Sequence, residues 1–284
     1  MVNSGIELSA SFHSYEHALK YDISGNLTLP KNKVTSLGMT NEPYNAAFTR
    51  TIVGEEVGRF YGYVYEGIFQ SWDEVNNRVN DLGMTVVQSG AQPGDVAYKD
   101  VNNDGEITSD DQTFIGSGMA KVQFGLSARL EYKGFDLSVS TFGAGGYQLL
   151  DFVDLTLRSS YGMTNRSVDL LNAWTDDNHS TTVPAVYYKS TGTITNDMFS
   201  SRFLQNGNYW KIANVELGYN VPSDRLEGKF IRGARFYLSG QNLHTFTAYR
   251  GYNIDFAGGA FTPGYNYCSY PAPVTVMLGA KLNF

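Results

Sequence analysis

Cysteine is almost missing: Cys268 stands alone among 284 residues, so no internal disulfide staples the chain, and an oxidising compartment is neither required nor excluded. Charge is sparse as well. Only 17% of residues are Asp, Glu, Lys or Arg, the formal net charge is -7, and no Lys/Arg cluster offers phosphates a surface, which argues against a nucleic-acid partner. No run of about 18 apolar residues occurs, so no helix is long and apolar enough to span a bilayer. The opening stretch from Met1 to Phe12 lacks the charged-then-apolar order of a secretion signal. A membrane barrel survives all these absences, because its strands need only about 9 to 11 residues with apolar side chains at alternate positions.

Reactive groupings are equally thin. His13, His17, His179 and His244 are scattered, none with a second ligand at metal spacing. Gly143, Gly145 and Gly146 precede no Lys-Ser or Lys-Thr pair and read as the start of a loop, not as a phosphate cradle. The neighbours Asp110 and Asp111, like Asp176 and Asp177, say nothing about opposed acid and base positions. The chain reads as a non-enzyme.

What the sequence does hold is 30 Gly, 20 Tyr and 17 Phe, a composition suited to turns and aromatic β packing. Alternation of period two then marks seven strands. Ile6, Leu8, Ala10 and Phe12 form one apolar stripe; Leu19, Tyr21, Ile23, Gly25, Leu27 and Leu29 form the next. Val122, Phe124, Leu126, Ala128, Leu130 and Tyr132 alternate with Gln123, Ser127, Arg129 and Glu131, and Phe135, Leu137 and Val139 follow across a Lys133-Gly134 hairpin turn. Ala213, Val215, Leu217 and Tyr219, then Ala234, Phe236, Leu238 and Gly240, then Val274, Val276, Leu278, Ala280, Leu282 and Phe284 complete the set.

A soluble sheet with one wet face alternates in the same way. The connections separate the two cases. Long stretches lie between residues 30 and 122, 144 and 209, and 243 and 274, while residues 14–17, 133–134 and 220–233 are short links. Long and short links therefore fall at opposite ends of the array, as in a barrel with periplasmic turns and extracellular loops. The first strand is then expected to run inward and Phe284 to sit at the periplasmic rim. Tyr132, Phe135, Tyr209, Trp210 and Tyr219 fall near the inferred interfaces, as in an aromatic girdle. Seven is odd, whereas closed bacterial barrels have even strand numbers, so an incomplete arc is expected.

One loop carries a metal-like pattern. From Asp100 to Asp111, oxygen donors occupy the first, third, fifth, ninth and twelfth places, with Gly105 at the sixth. Calcium would draw on the side chains of Asp100, Asn102 and Asp104, the backbone carbonyl of Glu106, a direct or water-mediated contact from Thr108, and the closing carboxylate of Asp111. The competing reading is an Asx-rich turn that holds no metal. A calcium ion here has a structural role.

Several segments resemble the SusC/RagA branch of TonB-linked outer-membrane receptors. They are Gly58-Arg59-Phe60-Tyr61-Gly62-Tyr63 running to Glu66-Gly67-Ile68-Phe69, Pro93-Gly94-Asp95 before the acidic loop, and Ile115-Gly116 after it. Asn172-Ala173-Trp174-Thr175, Tyr209 through Asn214, Leu217-Gly218-Tyr219, Ser239 through Leu243 and the terminal Phe284 continue the likeness. The resemblance covers nearly the whole chain but only the C-terminal portion of the family, whose complete members carry a plug, a TonB-contacting segment and a barrel of about 22 strands. It implies residues 1–284 as the C-terminal part of such a barrel, with 93–116 as a calcium-loop-like extracellular insertion. It also implies an outer-membrane location, a SusD-like lipoprotein lid, energy from TonB, and import of glycan fragments or peptides. Loops 39–121, 145–208 and 244–273 would meet ligand or lid, with Tyr252, Tyr265, Tyr267 and Tyr270 able to stack on sugars. Two other readings stay open on the residues alone: a secreted calcium-stabilised β domain for adhesion or carbohydrate attachment, and a truncated, non-functional product.

Overall fold

A computed structural model describes residues 1–160, 165–187, 194–226, 230–256 and 258–284; residues 161–164 and 188–193 of the second long loop, 227–229 of the last short link and 257 of the third loop lie outside the described set. Its main body is a seven-stranded antiparallel sheet whose spatial order is the sequence order. The strands are β1 (Val2–Ser14), β2 (Leu19–Lys33), β3 (Val122–Tyr132), β4 (Phe135–Gly145), β5 (Tyr209–Asn220), β6 (Gly233–Thr247) and β7 (Thr275–Asn283). All seven expected strands are present. Each pairs with the next, so the wall is a plain meander.

The pairing aligns the apolar stripes. One row crosses the whole sheet: Phe12 pairs with Ile23, Ile23 with Ala128, Ala128 with Val139, Val139 with Val215, Val215 with Gly240, and Gly240 with Val276. Since a slip of one residue would turn a stripe to the other face, this continuity fixes the register. At the β3–β4 hairpin, Lys133 and Gly134 both take positive φ, 48° and 87°, the combination of a type I′ turn whose twist matches the flanking strands. Phe230 and the terminal Phe284 meet at this same short-turn end, with ring centroids 5.3 Å apart.

Several strands outrun their alternation. The β4 stripe was expected to stop at Val139, with Gly143 and Gly145 beginning a loop, yet β4 continues to Gly145. Gly143 is a glycine for a packing reason: a Cβ there would lie 2.4 Å from the Tyr209 carbonyl oxygen and 2.6 Å from the Phe124 ring. In β5 the pairing shifts between Ile212 and Asn214, leaving Ala213 as an extra residue. The same shift falls in β6 at Asn242 and Leu243, and Asn242 adopts φ 53°. These bulges reset the alternation, which hides the true strand ends.

The long connections are folded. Tyr44–Ala46, Thr49–Thr51, Arg59–Gly62 and Thr113–Gly116 form one small sheet; Gln148–Asp151, Leu204–Asn206 and Tyr265–Asn266 form another, joining the second and third loops; Tyr65–Ile68 pairs with Val96–Tyr98. The buried apolar clusters lie here. Tyr63, Val86, Val96, Tyr98 and Ile107 make one, Phe60, Leu150 and Phe203 a second, and Leu149, Tyr249 and Ile254 a third.

Candidate functional site

The wall is apolar on one face and polar on the other. Leu278 is 85% exposed, and Ile6, Leu8, Phe12, Leu126, Leu217, Phe236, Leu238 and Val276 are exposed beside it, whereas Asp136 and Lys211 are each 5% exposed on the opposite face. Among the described residues no second sheet or helix layer packs on the leucine rows. In water each such side chain would forgo about 1.5 to 3 kcal/mol of burial, and soluble proteins do not leave continuous apolar bands of this kind bare. Acyl chains are the solvent that fits this face. Aromatic side chains bound the band: Phe135 and Tyr219 lie 4.7 Å apart at the short-turn end, and Trp210 stacks on Phe246 at 5.3 Å near the loop end. From Trp210 to Tyr219 the strand climbs about 30 Å along its axis. Tilted by about 40°, it crosses about 23 Å, close to the height of an outer-membrane apolar band.

The polar face is organised around charge. Asp136 on β4 takes two bonds from Arg235 on β6, from Nη2 at 2.5 Å and Nε at 3.1 Å, although β5 runs between them. Gly218 makes the reach possible, since a Cβ on it would lie 2.5 Å from the guanidinium and 2.7 Å from the carboxylate. Glu216 accepts a further bond from Arg235 at 2.7 Å, and Asn220 donates to Asp136 at 2.7 Å. Nearer the loops, Lys211 pairs with Asp255 at 3.2 Å and lies over the Phe142 ring, tying the third loop to the wall. Neither ion pair was expected from the sequence. The partners are 99 and 44 positions apart in the chain; strand register brings Asp136 and Arg235 together, and the fold of the third loop onto the wall brings Asp255 to Lys211.

The acidic loop is tightly self-bonded. Asp100 is 3% exposed and accepts from Asn80 Nδ2 and the Gly105 amide, while Gly105 takes φ 87° at the sharp turn. Burial opposes the charge on Asp100, but the Asn80 bond and the amides of Gly105, Asn103 and Asp104 outweigh it and hold the carboxyl below its ordinary range. Asn102 and Asp104 are exposed and bond each other, and the Glu106 amide donates to Asp104. Thr108 caps a short 3-10 turn, and Asp111, fully buried, spends both oxygens on the amides of Val101, Asn102 and Thr108. Asp100 and Asp111 are thus brought to one base, while Asn102, Asp104 and Glu106 stay at the surface. Among the described residues no three Asp, Glu, His or Cys side chains gather closely enough to hold a metal. One feature does fit a cation: Asp100 Oδ1 is buried without a hydrogen-bond partner.

No protein-family model matches the chain. Individual relatives do. TonB-dependent receptor P3 of Formosa agariphila is 31% identical over 238 residues, covering 81% of this chain and 22% of the receptor. TonB-dependent receptor P26 of the same organism is 31% identical over 275 residues, covering 91% and 26%. The chain belongs to the TonB-dependent receptors. It spans about a quarter of the length of these relatives. TonB-dependent receptor SusC of Bacteroides thetaiotaomicron is 24% identical over 274 residues, 93% of this chain and 24% of SusC. In fold, the RagAB peptide transporter superposes with a TM-score of 0.77 at 23% identity, covering 99% of this chain and 29% of the transporter chain. The seven-stranded arc is therefore a TonB-dependent receptor's barrel wall, and the relatives bear the names of receptors and a transporter.

Proposed function

We propose that residues 1–284 are the C-terminal barrel part of an outer-membrane importer, that they belong to a barrel of about 22 strands, and that the protein is not an enzyme. The observation that carries this reading is the two-faced wall, with exposed leucine rows on one face and the Asp136–Arg235 network on the other. In this reading the long-loop end faces outward, a SusD-like lipoprotein closes over it, TonB supplies energy through the segment that precedes the wall in the family, and the cargo is a glycan fragment or a peptide. The exposed leucine rows oppose a secreted β domain. The test is fractionation of the full receptor, expressed with its neighbouring lipoprotein gene, followed by uptake of candidate glycans and peptides. Recovery in the outer membrane with TonB-dependent uptake is expected; recovery in the soluble fraction would end the reading.

We also propose that Asp100, Asn102, Asp104, Glu106, Thr108 and Asp111, within the 93–116 insertion, take calcium in a structural role. The orphaned Asp100 oxygen and the Gly105 turn support this. Binding requires the exposed Asn102 and Asp104 to swing inward and Asp111 to yield amide bonds, so calcium is expected to change amide exchange across residues 100–111 as well as release heat. Titration of the receptor with calcium chloride that gives neither signal retires the proposal and leaves the Asx turn.

A further inference from the structure

The apolar face of the wall is almost free of charge, and its exceptions sit together. Followed by alternation through the seven strands, the Asp, Glu, Lys and Arg side chains of the described residues belong to the polar face, apart from Lys31 and Lys33, which continue the β2 stripe of Leu19, Tyr21, Ile23, Gly25, Leu27 and Leu29. The register of β1 on β2 runs unbroken from Ser14 with Tyr21 to Val2 with Lys33, so no bulge turns either lysine away from that face. Both lysines are exposed, and among the described residues neither enters an ion pair. Their cross-strand partners, Ser4 and Val2, bring no carboxylate.

The stripe beneath sets their height. From Leu19 to Leu29 the strand rises about 33 Å, or about 25 Å once tilted by about 40°, which is the full height of an outer-membrane apolar band. Lys31 and Lys33 then stand about 5 and 10 Å above the band, in the headgroup layer on the long-loop side. The backbone that presents them is pinned. Asn32, 9% exposed on the polar face, donates to Asn3 Oδ1 at 2.6 Å and accepts from the Val57 amide at 2.8 Å, and the buried Val34 exchanges backbone bonds with Gly54 and Glu55. Pairing with β3 ends at Thr28 and Gln123, so residues 29–33 project past that neighbour.

We propose that Lys31 and Lys33 form a binding site for the phosphate of an outer-leaflet lipid headgroup; the proposal rests on the outer-membrane reading. Residues two apart on a strand share one face at a spacing of about 7 Å, so two flexible ammonium stems can close on a single phosphate from both sides. Side by side, the cations repel each other until an anion lies between them. Leu27 and Leu29 directly below offer surface to acyl chains, which favours a lipid over free phosphate. An anionic leaflet attracts each such lysine by about fivefold in affinity.

The experiment uses the full receptor purified in detergent, with three probes: lipid A, whose acylated sugars carry phosphate, lipid A stripped of its phosphates, and inorganic phosphate. Native mass spectrometry reads bound lipid, and the heat-dependent gel shift shows that each variant is folded. The parent is expected to hold lipid A at least about tenfold more tightly than the stripped form, Lys31→Gln with Lys33→Gln to lose that preference, and Lys31→Arg with Lys33→Arg to keep it. Lys20→Gln, on the polar face of the same strand, is expected to leave it unchanged, and millimolar inorganic phosphate to leave lipid A in place. Equal retention by the parent and the Gln pair overturns the proposal, as does equal affinity for the two lipid forms. Displacement of lipid A by inorganic phosphate overturns it too, by making the pair a site for the free ion. Fractionation separates this site from the import reading. A receptor in the outer membrane whose Gln pair holds lipid A as the parent does removes the lysine site and keeps import; lysine-dependent binding by a receptor recovered in the soluble fraction keeps the site and removes import.

Discussion

Gly218 carries no side chain, and that is what lets Arg235 reach Asp136 across an intervening strand. Removing the cation leaves a carboxylate whose side chain is only 7% exposed. Arg235→Ala is therefore expected to destabilise the wall by about 3 to 5 kcal/mol, and Asp136→Asn with Arg235→Gln together by less than the sum of the two single changes. Urea unfolding of the receptor in lipid vesicles, followed by the heat-dependent gel shift of folded barrels, measures both. Gly218→Val should cost as much as losing the pair, because its methyl groups would occupy the space of the ion pair; a fully folded Val variant would show that the pair does not hold the strands together. None of this was legible in the residues. Asp136 and Arg235 look like ordinary polar members of their strands until the register sets them one strand apart.

At the scale of elements, the acidic loop makes a pH prediction. Asp100 is held below the ordinary carboxylate range, so the stability it contributes is fully present above the unfolded value of about 3.9 and is lost as the pH falls through its lower folded value. The protection of the Gly105 amide, which donates to this carboxylate, measured against its intrinsic exchange rate at each pH, should stay high at neutral pH and fall only in acid below about pH 4. Asp111→Ala frees the amides of Val101, Asn102 and Thr108 and should open the loop at neutral pH, seen as fast exchange across residues 100–111. The seven strands were legible because a wall with a different solvent on each face imposes a strict period of two. Their ends were not, since the extra Ala213 shifts the phase and leaves Trp210 and Lys211 out of step with Val215 and Glu216. The small loop sheets escaped for another reason. Their strands run two to four residues, as in Tyr265–Asn266 and Arg59–Gly62, too short for any period to register.

For the molecule as a whole, the two faces of the wall should respond oppositely to the same charge. Leu278→Arg places a cation in the middle of the lipid-facing band and is expected to cost about 2 to 4 kcal/mol. Gln241→Arg, on the opposite face, should cost far less in the same vesicle unfolding assay, and equal losses would mean that the leucine rows do not meet lipid. The buried apolar clusters tell the complementary story, for they lie among the loops: Phe60 with Leu150 and Phe203, Tyr98 with Val96 and Ile107. The strands thus owe their shape to oil and the loops owe theirs to water. A receptor stripped of its bilayer should therefore come apart from the stem upward, its crown still knitted after the staves beneath have sprung.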